Sequence, residues 1–335
     1  MSDNLPAFPD VLAAADRIEG HAFRTPLLKS VFLDDLTGAD VWLKPECLQR
    51  TGSFKFRGAY NSIAALSGEE RKRGVLAVSS GNHAQGIAEA ARLTGTQATI
   101  LMPSDSPAIK VARTRRSGAN VVFFDRATDD RDEISARLQE ETGAVFIHPY
   151  DNPYVIAGQG TCGLEFCQDI REMGKRIDRV FVCTGGGGLT AGITLAVSEV
   201  FPEAKIHTGE PEDFDDYKRS LELGERVANE RWAGSICDAI ITPKPGALSF
   251  AICKDRLAGG KVVSDEEALA ATAFAFNELK LVVEPGGAVA LAALLQAGHA
   301  HAGETVVVTL SGGNVDPSVL ARALEEGAGG QGGNG

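Results

Sequence analysis

The clearest structural signal in the sequence is the stretch VLAVSSGNHAQGIAEAARLTGTQATILM, residues 75–102. It begins with an apolar run, 75–78, continues through an amphipathic segment from His83 to Leu93 that Gly95 closes, and ends in a second apolar run, 98–102. This pattern is typical of a buried strand, a helix and a second buried strand. Strands that alternate with helices predict a parallel sheet covered by helices on both faces.

The same alternation extends in both directions along the chain. Further strands are predicted at 120–124, 144–147, 179–183, 205–209 and 305–310. Further helices are predicted at 107–116, 129–141, 189–200, 265–278 and 287–296. Because the segment before residue 70 is poor in strands and must pack against later residues, we expect one domain inserted into another. The large domain is predicted to span 1–69 and 151–325, the small α/β domain 70–150, and a Gly-rich disordered tail 326–335.

Composition excludes several classes of protein. The 335 residues include 33 Lys and Arg against 45 Asp and Glu, a net charge of −12. This acidity argues against a nucleic-acid footprint and against docking on an anionic membrane surface. No apolar run reaches the ~18 residues of a membrane-spanning helix, and the first residues lack a secretory signal. The six cysteines form no C-x-x-C pair, which favours reduced thiols in the cytoplasm.

A run of four glycines follows one of the predicted strands. Gly185, Gly186, Gly187 and Gly188 lie between the apolar run 180–183 and a predicted helix that begins near Leu189. Such a loop turns backbone N–H groups toward an anion at the positive end of a helix dipole, so it suits a phosphate. A dinucleotide also fits, because Glu210 ends the next strand where a ribose-binding acid is expected. This stretch alone does not separate the two hypotheses.

A lysine lies between two phenylalanines in Phe54-Lys55-Phe56. Most lysines are solvated, but two flanking aromatic rings can bury an amine and lower its pKa until it becomes nucleophilic. An amine of this kind forms Schiff bases with aldehydes. A phosphate-binding loop together with such a lysine indicates pyridoxal 5′-phosphate, which carries both a phosphate and an aldehyde.

Two more polar segments follow predicted strands. Ser79-Ser80-Gly81-Asn82-His83 joins a strand to a helix, at the kind of strand end where open α/β sheets bind ligands. An asparagine there can donate to a phenolate oxygen, although helix capping is the better explanation of these residues when the segment is taken alone. Ser311 follows the apolar strand 305–310, where its hydroxyl can meet a pyridine nitrogen or simply lie in a turn.

Taken together, these segments resemble the fold-type II pyridoxal phosphate enzymes, specifically the serine/threonine dehydratase and serine racemase family. The resemblance covers about residues 20 to 320 and rests on six segments in the same order: 53–59, 79–83, 157–161, 185–188, 284–288 and 311–314. It implies a tryptophan synthase β-like α/β fold with two open, twisted, mostly parallel sheets flanked by helices and a smaller domain inserted into the larger. It also makes the dinucleotide hypothesis much weaker.

The resemblance implies a role for each matching residue. Lys55 would bind the cofactor covalently and act as the base for the substrate α-proton, and Ser80 would act on the opposite face of the substrate. The other expected cofactor contacts are Phe54, Asn82, Gly185, Gly186, Gly187, Gly188, Leu189, Glu284 and Ser311. The expected substrate-binding residues are Ser79, Ser80, Asn82 and His83.

The family often has a cation site with a characteristic spacing. An acid, a backbone carbonyl four residues later and a second acid two residues beyond match Glu210, Phe214 and Asp216. Hard oxygen ligands suit Mg²⁺ or Ca²⁺. The alternative is a run of acids in the first turn of a helix, where the dipole favours them. Homodimers are usual in the family, so the resemblance also implies a homodimer.

These expectations lead to one main functional hypothesis and two alternatives. The main one is an ammonia-lyase that converts L-threonine or L-serine to a 2-oxo acid and ammonia. A serine racemase is the first alternative, because Ser80 is present on the second face of the substrate. A 3-hydroxyaspartate ammonia-lyase is the other, but it needs a cation near the second carboxylate, and the sequence alone assigns no residue to that role.

Overall fold

A computed structural model describes residues 5–106, 108–231, 233–296 and 298–329, in which the chain forms ten strands and fourteen α-helices. The strands are β1 (Leu28–Lys29), β2 (Asp40–Pro45), β3 (Val75–Val78), β4 (Ala98–Pro103), β5 (Asn120–Phe124), β6 (Val145–Phe146), β7 (Arg179–Cys183), β8 (Lys205–Pro211), β9 (Gly259–Val263) and β10 (Thr305–Leu310). The helices are α1 (Phe8–Ile18), α2 (Val31–Thr37), α3 (Lys55–Ala64), α4 (Gly68–Arg73), α5 (Asn82–Thr94), α6 (Ala108–Arg116), α7 (Arg131–Thr142), α8 (Pro153–Glu172), α9 (Gly188–Val200), α10 (Asp216–Leu223), α11 (Ala247–Cys253), α12 (Asp265–Asn277), α13 (Pro285–Leu295) and α14 (Pro317–Gly329).

The strands form two sheets. The four-stranded sheet has the order β5-β4-β3-β6 and is parallel throughout. The six-stranded sheet has the order β1-β2-β10-β7-β8-β9, and only the β1–β2 pair is antiparallel. The strands of the smaller sheet are consecutive in the chain, and those of the larger sheet lie before and after them. The prediction of two mostly parallel sheets flanked by helices is confirmed.

The centre of the six-stranded sheet is apolar on both faces. Every residue of β10 is buried, and four of the five residues of β7 are buried. Continuous apolar strands are expected where helices cover a parallel sheet on both sides. One face packs on α13, ten of whose eleven residues are buried, and the other packs on apolar residues of α8 and α9.

Close helix packing places the start of α3. The long helix α8 crosses both α3 and α9, and glycines occupy the crossing points. A Cβ atom added to Gly158 would lie 2.7 Å from the Cα of Gly58, and one added to Gly192 would lie 2.4 Å from the backbone nitrogen of Gly160. Only glycine allows backbones to approach so closely. The contact holds the helix whose first residue is Lys55.

Several predicted elements differ from the structure. Strands β2 and β9 and helix α8 were not predicted. The tail predicted from residue 326 begins inside α14, which continues to Gly329, while residues 330–335 lie outside the described residues. The helix persists because Ala323 and its apolar neighbours pack on α12. Among the described helices, none has the length and hydropathy needed to cross a membrane.

Candidate active site

A cavity of about 290 Å³ lies where strands of both sheets end. Its walls come from segments that follow β3, β5, β6 and β10, as expected for an α/β site at the carboxyl ends of strands. A smaller cavity of about 30 Å³ is lined by the tetraglycine loop and by Phe54. Both cavities are lined by Lys55, Tyr150, Ala239 and Thr242. The two cavities therefore meet at the lysine that the sequence singles out.

Lys55 carries an amine of lowered basicity. It is the first residue of α3, and its Nζ donates a 3.0 Å hydrogen bond to the carbonyl oxygen of Pro149. The Nζ also lies 5.1 Å from the ring centre of Phe54. Burial lowers the pKa of the Lys55 amine to about 8, because the charged form is poorly solvated there. An amine in this state is available as a nucleophile and as a base near neutral pH.

The tetraglycine loop has no room for side chains. It follows β7 and leads into α9, and Gly187 has a positive φ of 89°. A Cβ atom at Gly186 would lie 2.3 Å from the Tyr150 ring, and one at Gly185 would lie 2.6 Å from the carbonyl oxygen of Ile240. The backbone of the loop therefore faces the small cavity directly, beside Lys55. This arrangement suits a phosphate held by backbone N–H groups at a helix start.

The segment after β3 lies along the larger cavity. Ser79, Ser80, Asn82 and His83 all line it, so the structure brings together the residues predicted to bind substrate. The imidazole Nε2 of His83 hydrogen-bonds the carbonyl oxygen of Ile147 at 3.0 Å. Burial, assisted by the charge of Lys55, lowers the pKa of His83 to about 3. Its ring is therefore neutral, and what this segment offers a carboxylate is the free backbone N–H groups at the start of α5.

Asn82 connects two distant parts of the chain. Its Nδ2 donates a 2.7 Å hydrogen bond to Oε1 of Glu284, and its Oδ1 accepts a 2.7 Å hydrogen bond from Nδ2 of Asn314. All three side chains line the larger cavity. Burial raises the pKa of Glu284 to about 7. The network fixes the Asn82 amide at the cavity wall.

Ser311 lies next to the segment that carries the lysine. The backbone N–H of Phe54 donates a 3.1 Å hydrogen bond to the carbonyl oxygen of Ser311, and Ser53 forms an isolated β-bridge with Gly312. The Ser311 side chain is buried next to the Cys183 thiol. The structure thus places Ser311 beside Phe54, although it does not line either cavity directly.

Sequence reasoning missed Tyr150 and Thr242. The Tyr150 ring packs on Gly186 and makes an edge-on contact with His148, with 4.6 Å between ring centres. The hydroxyl oxygen of Thr242 is buried without a hydrogen-bond partner among the described residues. Tyr150 follows β6, so the rule that strand ends carry ligand-binding residues could have identified it. Thr242 lies in a long segment without regular structure, where no comparable signal exists.

Three cations along the cavity were also missed. Lys110, Arg126 and Arg131 line its outer wall, and all three come from the part of the chain that forms the four-stranded sheet. Nζ of Lys110 forms a 2.9 Å ion pair with Oδ2 of Asp238, which lines the same cavity. In the sequence these residues look like ordinary surface charges. Their convergence is a property of the folded chain.

The acidic residues predicted to bind a cation lie away from these cavities. Glu210 is buried and accepts hydrogen bonds from Tyr217 N at 2.8 Å and Lys218 N at 2.9 Å. Asp216 accepts a 2.6 Å hydrogen bond from Asn229 at Oδ1, while its buried Oδ2 has no partner in the described parts of the chain. Burial and mutual repulsion raise the pKa of Glu210, and burial raises that of Asp216 to about 7. Because Glu210 is enclosed in this way, it is not placed to bind a ribose.

Comparison with known proteins identifies the family. A family model described as pyridoxal-phosphate dependent enzyme matches residues 18–312. The chain belongs to this family. The enzyme is 44% identical to an L-threo-3-hydroxyaspartate ammonia-lyase from Pseudomonas sp, over 96% of this chain and 99% of that relative. It is 42% identical to an L-threonine ammonia-lyase from Thermotoga maritima, over 95% of this chain and 78% of that one.

A solved structure confirms the fold of this pyridoxal-phosphate dependent enzyme. The structure of maize serine racemase superimposes with a TM-score of 0.89 at 35% sequence identity, and covers 98% of this chain and 99% of that one. The predicted resemblance and fold class are therefore correct. The residues present also fit the cofactor. The small cavity is bordered by a lysine amine of lowered pKa and by a glycine loop that has no room for a Cβ atom.

Proposed function

We propose that this enzyme removes water and then ammonia from a β-hydroxy L-amino acid such as L-threonine or L-serine. The hydroxyl leaves from the β-carbon and the α-proton leaves with it. Water then replaces the amino group, so that the products are one 2-oxo acid and one ammonia. One observation carries the proposal: the amine of Lys55 lies where the tetraglycine cavity opens into the cavity that Ser79, Ser80 and Asn82 line.

Each residue of the site has a task in this reaction. Pyridoxal 5′-phosphate, when bound, supplies an electron sink for the electrons released at the α-carbon. Lys55 holds the cofactor and takes the α-proton, which its pKa of about 8 permits near neutral pH. Backbone N–H groups of Gly185 to Gly188 and Leu189 hold the phosphate. The start of α5 holds the substrate carboxylate, with Ser79 and His83 beside it.

The neutral side chains around the cofactor favour elimination. Phe54 would pack on the cofactor ring, while Asn82, kept in place by Glu284, would donate to its phenolic oxygen. Ser311 would offer the ring nitrogen a hydroxyl rather than a carboxylate. A neutral hydroxyl does not stabilise a protonated pyridine nitrogen as a negatively charged carboxylate would. A site of this kind would therefore favour prompt loss of the β-hydroxyl.

Racemisation is the second candidate, because Ser80 lines the same cavity as Lys55. A hydroxyl on the second face of the substrate can return a proton there. The two activities are separated by incubating the holoenzyme with L-serine and measuring pyruvate, ammonia and D-serine in the same sample. We expect pyruvate and ammonia in equal amounts and in excess over D-serine. An excess of D-serine would make the enzyme a racemase.

We also propose that Glu210, the carbonyl of Phe214 and Asp216 hold Mg²⁺ or Ca²⁺. The support is the unpartnered Oδ2 of Asp216 and the proximity of a second buried acid. A divalent cation would give Oδ2 of Asp216 a partner and would offset the repulsion between the two carboxyl groups. Within the described residues no cluster of three or more His, Cys, Asp or Glu side chains is placed to hold a metal, so this set depends on the backbone carbonyl.

A homodimer in the cytoplasm completes the proposal. Three of the seven residues of α2 are apolar and largely exposed: Val31, Phe32 and Leu36. Burial of this face against a second copy would remove apolar surface from water. All six cysteines are free, which agrees with a reducing compartment. Light scattering after gel filtration tests the dimer: a mass near twice 35.2 kDa supports it and a monomer mass contradicts it.

A further inference from the structure

A short helix lies behind the tetraglycine loop. Helix α11 lines neither of the two cavities, yet it and the residue before it bond to the loop. The carbonyl oxygen of Gly186 accepts a 3.0 Å hydrogen bond from the backbone N–H of Gly246 and a 2.7 Å hydrogen bond from the hydroxyl of Ser249. The carbonyl oxygen of Gly246, at 3.2 Å, is the more distant acceptor for the same hydroxyl. Because Ser249 is fully buried, water does not compete for its hydroxyl.

These two bonds fix the direction of one peptide group. The C=O and the N–H of a trans peptide point in opposite directions, and the described peptide bonds are all trans. Since the Gly186 carbonyl points toward α11, the N–H of Gly187 points to the other side of the loop. Both glycines line the small cavity there. In the described parts of the chain this N–H has no acceptor, so it is available to an anion.

The start of α11 is itself held in place. The carboxylate of Asp151 accepts hydrogen bonds from the backbone N–H groups of Ala247 at 2.9 Å and Leu248 at 2.8 Å. These N–H groups lie in the first turn, where a helix offers them no acceptor of its own. Asp151 directly follows Tyr150, whose ring packs on Gly186. The loop is therefore enclosed between the Tyr150 ring and a fixed helix start.

We propose that Ser249 is a positioning residue for the phosphate of the cofactor. Its hydroxyl holds the Gly186 carbonyl toward α11 and so keeps the N–H of Gly187 directed at the phosphate position. Asp151 supports Ser249 by fixing the start of α11. This inference rests on the proposed phosphate loop and extends it to two residues that line neither the small cavity nor the larger one.

A glycine loop needs such a support because its backbone is not confined by side chains. Glycine has access to far more backbone conformations than other residues, and Gly187 already has a φ of 89°. If the Gly186 carbonyl lost a donor, the peptide group could rotate and present its oxygen to the small cavity. A carbonyl oxygen carries partial negative charge and repels a phosphate. Loss of the Ser249 hydroxyl should therefore weaken the binding of the anion in particular.

Two ligands separate this effect from a general loss of structure. Pyridoxal has the ring and aldehyde of pyridoxal 5′-phosphate but no phosphate. We expect Ser249→Ala to weaken binding of pyridoxal 5′-phosphate to the cofactor-free enzyme about fivefold, the value of one hydrogen bond, and to leave pyridoxal binding unchanged. Ser249→Thr keeps the hydroxyl and should preserve the ratio of the two affinities. Asp151→Asn keeps one acceptor for α11 and should lower the ratio by a smaller factor.

Fluorescence titration of the full chain with each ligand gives the ratio. A second measurement is the melting temperature of the cofactor-free enzyme with inorganic phosphate, which should rise less in Ser249→Ala than in the wild type. Ser62→Ala is the matched control. It removes another buried hydroxyl, which donates a 2.9 Å hydrogen bond to the carbonyl oxygen of Ala59 away from both cavities, and it should keep the wild-type ratio.

Each outcome decides between defined alternatives. A lower ratio in Ser249→Ala, but not in Ser62→Ala, supports the inference. Equal weakening of both ligands would mean that Ser249 only stabilises the fold, and overturns it. An unchanged ratio in Ser249→Ala beside a lower ratio in Gly186→Ala overturns the inference and leaves the phosphate loop standing, whereas an unchanged ratio in both overturns the loop as well. If Ser249→Ala does not fold, Asp151→Asn is judged by the same criteria.

Discussion

Nδ2 of Asn82 donates a 2.7 Å hydrogen bond to Oε1 of Glu284, across 202 residues of sequence. Asn82 begins the helix that follows β3, in the four-stranded sheet, and Glu284 precedes a helix packed on the six-stranded sheet. The contact therefore joins the two sheets at the wall of the larger cavity. It also encloses a carboxyl group whose titration can be measured.

Glu284→Gln should remove a pH dependence of stability. Burial raises the pKa of Glu284 to about 7, so between pH ~4.5 and 7 the unfolded chain loses this proton while the folded chain keeps it. Stability therefore falls as pH rises through this window, by an amount on the order of 3 kcal/mol. Glutamine keeps the acceptor for Asn82 without the titration.

Urea unfolding of the cofactor-free protein at several pH values measures this effect. The free energy of unfolding of Glu284→Gln should exceed that of the wild type at pH 8 and approach it at pH 4.5. If the free energies of unfolding of the two proteins change with pH in parallel, Glu284 has an ordinary pKa. Glu325→Gln, on the last helix and outside both cavities, is the control and should leave the profile unchanged.

Arg57→Met should be strongly destabilising. The Arg57 guanidinium is fully buried and makes contacts of 2.7 to 2.8 Å with both oxygens of Glu46 and of Glu165. Burial alone would raise the pKa of Glu46, but Arg57 brings it below its ordinary value. Loss of Arg57 leaves a buried carboxylate without its main partner, at a cost of about 3–5 kcal/mol.

Chemical denaturation at two pH values checks this prediction. The loss of stability in Arg57→Met should shrink as pH falls, because Glu46 then takes up a proton. Arg24→Met breaks an exposed ion pair with Asp169 and should cost less than about 1 kcal/mol. A similar, small effect of both variants would mean that the buried cluster contributes little to the fold.

Gly186→Ala should weaken cofactor binding. An added Cβ would lie 2.3 Å from the Tyr150 ring, so either the loop or the ring must move away from the phosphate position. The affinity for pyridoxal phosphate, measured by fluorescence titration, should fall about tenfold or more. A tenfold loss corresponds to ~1.4 kcal/mol of binding free energy. Gly68→Ala is a matched control, since nothing lies within 4 Å of its added Cβ. Unchanged affinity in Gly186→Ala would exclude the loop as the phosphate site.

Much of the fold was predictable from the sequence because its signals are local. The strands 120–124, 179–183 and 305–310 have the predicted bounds, since each contains a continuous apolar run that is followed by a polar residue. β2 was missed because it contains a buried lysine, Lys44, whose partner Glu165 is 121 residues away. β9 begins with two glycines, and α8 contains glycines needed for close crossings. A buried charge or repeated glycines make a strand or helix look unfavourable until the residues that pack against it are known.

The site was predictable where its residues follow a predicted strand or, for Lys55, lie between two aromatic residues. The lysine, the glycine loop and the segment 79–83 each adjoin a local signal, and the structure brings them to adjoining cavities. Arg131 and Asp238 carry no such signal, because single charges occur all over a protein surface. Their position along the larger cavity depends on which loops meet across the two sheets, and only the folded chain shows that.

Asp216→Ala should remove the response of the enzyme to divalent cations. In the wild type we expect Mg²⁺ or Ca²⁺ to raise the melting temperature and a chelator to lower it, because a cation satisfies the unpartnered Oδ2. The variant should melt at the same temperature with and without the cation. Asp213→Ala, an exposed neighbour paired with Arg231, should keep the full response. A wild type indifferent to both additions would contradict the cation site.

The most direct measurement is the visible absorbance and the ammonia release of Lys55→Ala beside those of the wild type, with Lys72→Ala as the control. We expect the wild type and the control to show the absorbance of a lysine-bound cofactor and to release a 2-oxo acid with ammonia. Lys55→Ala should show neither, although it should still bind pyridoxal phosphate through the glycine loop. Retention of both signals by Lys55→Ala would contradict the account, because the covalent attachment and the base would then lie elsewhere.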